Sequence, residues 1–180
     1  MMNTKSQFEK VIAVCREIFE KKMFDYGPSW RIMRPQSVTD QIFIKAKRIR
    51  SLETKGEQKI DDGIRSEFIA IVNYSVIGLI QIELGYADAV DIDSATALQL
   101  FDRNITASEE LMLDKNHDYD EAWRDMRISS YTDMILTKIN RVKNIESNNG
   151  QTLASEGIDS NYMDMINYAL FALIKLDYEQ

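Results

Sequence analysis

Three cations and four carboxylates in the second half of the chain have the types and spacing for phosphate chemistry. Lys138 and Arg141 lie three residues apart, so on a helix they share a face. Lys115 stands upstream, three residues before the pair Asp118-Tyr119. Arginine offers phosphate oxygens a planar fork and lysine a point charge. Lys45 and Arg48 repeat the Lys-x-x-Arg spacing in the first half. They are read either as phosphate contacts or as a solvated face paired with Asp62 or Glu67. The acids are Asp118, Glu156, Asp159 and Asp164. Mg²⁺ needs a few carboxylates and shares its shell with water and phosphate oxygens. These four are therefore the candidate metal ligands, with Asp118 reaching in from a turn. Glu156 and Asp159 also fit a second reading, as acids that favour a helix N-terminus. Asp164 sits among Met163, Met165 and Ile166, where a charge requires a partner or a task. Asp164 and Glu156 are accordingly the catalytic candidates, with a metal-bound water as nucleophile. Tyr119 and Trp123, like Tyr26 and Trp30 in the first half, either pack a turn onto the core or stack a base. His117 has no second His or Cys near it, which excludes a zinc site.

Most of these residues occur twice. Residues 21–53 and 114–146 align at a constant offset of 93, matching Asp25 with Asp118, Trp30 with Trp123, Lys45 with Lys138 and Arg48 with Arg141. After one inserted residue, Asn73-Tyr74 aligns with Asn167-Tyr168. The acids do not recur: Arg65 stands opposite Asp159 and Ala70 opposite Asp164. Asn73 and Asn167 fall on apolar faces, where a buried amide bonds to a neighbouring helix.

Three- and four-residue apolar spacing predicts a helix over 4–24, ended by Asp25-Tyr26-Gly27-Pro28. A second helix starts at Ser37 and gives way to a polar stretch at 54–61. A third, apolar on most of its circumference, runs over 63–84 with Gly85 as its stop. Residues 86–105 have no counterpart and read as a connector holding a short helix. Thr106 with Glu109 forms a capping-box pattern that opens the next helix. Helices over 130–145 and 157–178 complete the second copy. The expected fold is all-α: two tandem pseudo-twofold helical repeats in one bundle, with repeat 1 at 1–85, the connector at 86–105 and repeat 2 at 106–180.

With a net charge of −7 over 180 residues, nonspecific binding to nucleic acid is disfavoured. A single cysteine, Cys15, excludes an intramolecular disulfide framework. The apolar stretches 69–82 and 165–176 read as too short and too polar to span a bilayer, so a cytoplasmic protein without membrane contact is expected. Pairing as a homodimer is compatible with the repeat.

The combination Lys115, Asp118-Tyr119, Trp123, Lys138, Arg141, Glu156, Asp159, Asp164 and Asn167-Tyr168 resembles the nucleotide modification associated domain 1 family. Lys22, Asp25-Tyr26-Gly27, Trp30, Lys45, Arg48 and Asn73-Tyr74 carry the same resemblance in the first copy. The resemblance implies a role in nucleotide or modified-base metabolism with a small nucleotide as ligand. The all-α character is also similar to that of MazG-like nucleoside triphosphate pyrophosphatases, which hold Mg²⁺ on paired acidic helices. Glu17 and Glu20 suit such a helix, but the second copy has Glu110 and Leu113 there. Two expectations follow. One is a nucleotide binder, extended to Mg²⁺-dependent pyrophosphohydrolysis, with Lys115, Lys138, Arg141, Lys45, Arg48, Tyr119 and Trp123 on the substrate. The other is a non-enzymatic helical scaffold whose charges form structural salt bridges.

Overall fold

A computed structural model describes residues 3–55 and 63–179. Asp62 and the end of the polar stretch 54–61 lie outside them. Among the described residues the chain forms six α-helices and two short 3-10 turns, with no strand. Repeat 1 comprises α1 (Thr4–Tyr26), a 3-10 turn (Ser29–Ile32), α2 (Pro35–Lys55) and α3 (Ile64–Leu84). Repeat 2 follows the same plan with α4 (Ser94–Tyr119), a 3-10 turn (Ala122–Asp125), α5 (Ile128–Ser147) and α6 (Ile158–Tyr178).

Three helix starts differ from expectation, and α5 begins at Ile128, two residues before Ser130, by the same shift as the matched α2. Helix α2 begins at Pro35, two residues before Ser37, because proline suits the first helical position, where no N–H is needed. Helix α4 begins at Ser94, capped by the Asp93 carboxylate accepting from the Thr96 N–H at 2.7 Å, and runs unbroken through Thr106. No Gly or Pro interrupts residues 94–119, so the capping-box pattern at Thr106 lies mid-helix and the expected connector helix is the first half of α4. Gly85 stops α3 as expected, at φ 73° with its N–H on the Gln81 carbonyl.

The centre is α3 against α6, flanked by α2 on α3, α5 on α6 and α2 on α5, while α1 lies across α4 and α6. Phe68, Ile71, Val72, Val76 and Ile80 of α3 and Met165, Ile166, Leu170 and Ile174 of α6 are fully buried. Each such side chain contributes roughly 1.5–3 kcal/mol of burial. By length and composition α3 could cross a membrane, which corrects the reading of its apolar stretch as too short; here most of it is covered by protein.

The pseudo-twofold relation is visible in reciprocal bonds between α2 and α5. Thr39 donates to Glu146 at 2.8 Å and the matched Thr132 to Glu53 at 2.8 Å. Asp40 pairs with Lys143 at 3.3 Å and the matched Asp133 with Arg50 at 3.9 Å. This is the isologous pattern of a symmetric dimer within one chain. The symmetry breaks beside Gly78. A Cβ there would lie 2.5 Å from the Tyr162 ring, whose hydroxyl is 2.6 Å from the Thr39 hydroxyl. The matched residues are Ala172 and Phe68.

Candidate functional site

Each repeat holds one pocket at the matched place, between the end of its first helix, its 3-10 turn and its last helix. In repeat 1 it measures about 310 Å³ and is lined by Lys22, Tyr26, Trp30, Ala70, Asn73 and Tyr74, among others. In repeat 2 it measures about 470 Å³ and is lined by Lys115, Tyr119, Trp123, Asp164, Asn167 and Tyr168, among others. Five of these six positions carry the same residue in both copies; Ala70 against Asp164 is the exception.

Polar contacts from below hold the 3-10 turns that carry the tryptophans. Gln81 Nε2 lies 3.1, 3.0 and 2.7 Å from the carbonyl oxygens of Trp30, Arg31 and Met33. In repeat 2 the matched Lys175 donates to the Arg124 carbonyl. Trp123 stacks on Phe171 at 4.4 Å, and the Arg124 guanidinium sits 4.3 Å from its ring centre. At 6 % exposure its ring belongs to the core. Tyr119, at 70 % exposure, and the matched Tyr26 remain available for stacking.

The asparagines are pinned as expected on one side. Asn73 Nδ2 donates to the Cys15 carbonyl at 3.1 Å, and Asn167 Nδ2 to the matched Ser108 carbonyl at 3.0 Å. Their Oδ1 atoms are buried without a partner, as are the indole Nε1 atoms of Trp30 and Trp123. So in each repeat two residues that line the pocket carry a buried acceptor and a buried donor that the protein leaves unmet. An unmet buried polar group costs about 1–3 kcal/mol, and here the same two recur in two diverged copies. Burial, with Asp164 nearby, pushes the Tyr168 hydroxyl up to about 12, so it stays a neutral donor.

The charges of the two copies are wired differently. In repeat 2 the buried Asp164 carboxylate receives Lys115 on Oδ1 and Lys138 on Oδ2, both at 2.8 Å. Arg141 has no carboxylate partner among the described residues. In repeat 1 the acid is Glu67, one helical turn earlier, which receives Arg48 and, at 3.7 Å, Lys45. Lys22 has no carboxylate partner among the described residues.

Of the residues expected to act together, Lys115, Tyr119, Trp123 and Asp164 do line one pocket, with Lys138 joined through Asp164. Lys138, Arg141 and Glu156 line a separate, more open pocket of about 800 Å³ beside residues 148–155. Lys45 and Arg48 are the salt-bridged pair of the second reading, with Glu67 as partner, and line neither aromatic pocket. The four expected metal ligands are not brought together. Asp118 is exposed beside His117 at 3.3 Å, Asp159 is exposed at the start of α6, and Glu156 lies in the other pocket. Among the described residues no three acids, histidines or cysteines cluster to hold a metal. Both Asp164 oxygens already carry an ammonium, so the residues present do not fit a Mg²⁺ shell, and a catalytic pair of Asp164 with Glu156 does not form. Asn73, Asn167, Tyr74 and Tyr168 are absent from the expected site; their identity at matched positions of both copies is the signal.

No curated protein and no solved structure matches the chain. The family model described as nucleotide modification associated domain 1 matches residues 22–82 and again 115–176. Each match begins at the pocket lysine and spans the 3-10 turn and the two helices after it. The chain belongs to the nucleotide modification associated domain 1 family and carries its domain twice.

Proposed function

We propose that the protein binds nucleotides or their bases through the two matched aromatic pockets. One observation carries this reading: in both repeats a buried indole N–H and a buried amide oxygen are left unmet at a pocket walled by two tyrosines and a lysine. A heteroaromatic base offers an acceptor and a donor on one edge and a flat face for the exposed tyrosine. Aliphatic ligands of the same volume lack both. Both polar atoms are closed off from bulk solvent, so contact with a base requires the pocket lining to part. The family membership supports the same ligand class. Phosphate-binding by Lys45 and Arg48, and metal-assisted hydrolysis at Asp164, are not part of the reading, because those side chains are committed to ion pairs.

The test is thermal unfolding of the whole protein with a panel of nucleobases, nucleosides and nucleotides. A ligand at a hundred times its Kd stabilises by about 2.7 kcal/mol, a shift of roughly 5–10 °C for a chain of this size. Trp30→Phe and Trp123→Phe together remove both indole donors and should abolish most of that shift. If no panel member moves the transition at millimolar concentration, the reading fails.

A further inference from the structure

We infer that the two pockets select ligands of different charge: the pocket of repeat 1 takes a phosphorylated nucleotide, and that of repeat 2 takes an uncharged base or nucleoside. This rests on the proposed base-binding role and extends it to the ligand's substituent. The difference arises from a carboxylate that has moved by one helical turn between copies. Asp164, which lines its pocket, ties up the pocket lysine Lys115 at 2.8 Å. Its counterpart is Ala70, and the acid of repeat 1, Glu67, spends itself on Lys45 and Arg48, outside the pocket lining.

Counted over Lys22, Lys45, Arg48 and Glu67, the charge of repeat 1 equals that over Lys115, Lys138, Arg141 and Asp164 in repeat 2. Net charge therefore does not discriminate; the identity of the unpaired cation does. In repeat 1 it is Lys22, which lines the aromatic pocket and is solvent-exposed, so it can turn toward a phosphate without breaking an existing bond. In repeat 2 it is Arg141, which lines the neighbouring open pocket rather than the aromatic one. An anion entering the repeat 2 pocket meets a lysine already engaged by Asp164, with that carboxylate beside it. Charge-assisted contacts to phosphate are about twice as strong as neutral ones, so the position of one free ammonium decides the preference.

The experiment titrates the whole protein calorimetrically with nucleosides and their 5′-monophosphates. Two variants rewire the charge. Ala70→Asp places a carboxylate beside Lys22, as Asp164 stands beside Lys115. Asp164→Ala combined with Asn161→Glu moves the acid of repeat 2 to the Glu67 position and frees Lys115. In the wild type, one site should prefer the monophosphate over its nucleoside by at least about tenfold, and a second site should not. Ala70→Asp should erase that preference while nucleoside binding persists, and the double variant should create a second phosphate-preferring site. Nucleoside and monophosphate binding with a preference unchanged by either rewiring overturns the charge assignment and leaves base binding standing. No binding of either ligand class overturns base binding, and the assignment falls with it.

Discussion

Removing the Asp164 carboxylate should destabilise the protein, and restoring an acid one helical turn earlier should recover most of the loss. Asp164 is 93 % buried on its side chain and accepts from two ammonium groups, both at 2.8 Å. Breaking a buried ion pair by deleting one partner costs about 3–5 kcal/mol, mainly through the charge left behind. The two lysines differ in what they lose. Lys115 is 46 % exposed and regains water, whereas Lys138 is 13 % exposed and stays buried without a partner. The cost should therefore fall at the lower end, about 3 kcal/mol for Asp164→Ala. For a chain of this length that lowers the thermal midpoint by roughly 6–12 °C. Repeat 1 shows the compensation: it has alanine at this position, and Glu67 receives Lys45 and Arg48 instead. Asn161 is the counterpart of Glu67, so Asn161→Glu should offer Lys138 and Arg141 the same acceptor. Urea unfolding of wild type, both single variants and the double variant closes a cycle. The expected coupling is about 2 kcal/mol, within the range for residues sharing a network. A double variant no more stable than Asp164→Ala would refute the idea that the two copies solve one charge problem in two registers.

Gly78→Ala should destabilise by roughly 1–3 kcal/mol, despite alanine's better helix propensity, because its Cβ would meet the Tyr162 ring at 2.5 Å; chemical denaturation checks it, and an equal or higher midpoint would refute the close packing. Burial raises the carboxyl pKa of both Glu53 and Glu146 against the lowering effect of their threonine partners. Since the fold then favours the protonated form, their contribution is fully present below the unfolded pKa and is lost as pH rises through the folded values. Glu53→Gln with Glu146→Gln should flatten that loss, read as a smaller drop in thermal midpoint from mildly acidic to neutral pH; an unchanged slope would count against it. Gln81→Leu should cost about 2 kcal/mol by leaving the Met33 carbonyl unmet, while the Trp30 and Arg31 carbonyls keep the N–H groups of Met33 and Ala87. Tryptophan fluorescence should report the loosened turn, and an unaltered spectrum with unaltered stability would argue that the turn holds itself.

The repeat made the architecture legible, since two copies of a unit with one apolar helix have an economical solution in burying those helices together. Helix α4 was misread at Thr106 because a capping box is a local signal, and whether it starts a helix depends on whether the chain upstream is already helical. The lack of Gly and Pro over residues 94–119 was the better guide. The site was half legible. Lys115, Tyr119, Trp123 and Asp164 converge, but which acid takes which lysine depends on helix packing, and no spacing rule supplies that. Asn73 and Asn167 were read as structural from their apolar neighbours. That holds for the amide nitrogen, and the oxygen's unmet state becomes visible only once the surrounding donors are placed.

The contact between Gly78 and Tyr162 bears on self-recognition. Two isolated copies of repeat 2 packed in this way would set Ala172 against the Tyr162 ring, where a Cβ does not fit. Two copies of repeat 1 would set Gly78 against Phe68, which lacks the hydroxyl that meets Thr39. At this contact a pair of repeat 2 copies meets a clash and a pair of repeat 1 copies loses a hydrogen bond, so the halves fit each other better than themselves. The contact thereby favours the pairing of unlike repeats over like ones, whether the two repeats come from one chain or from two.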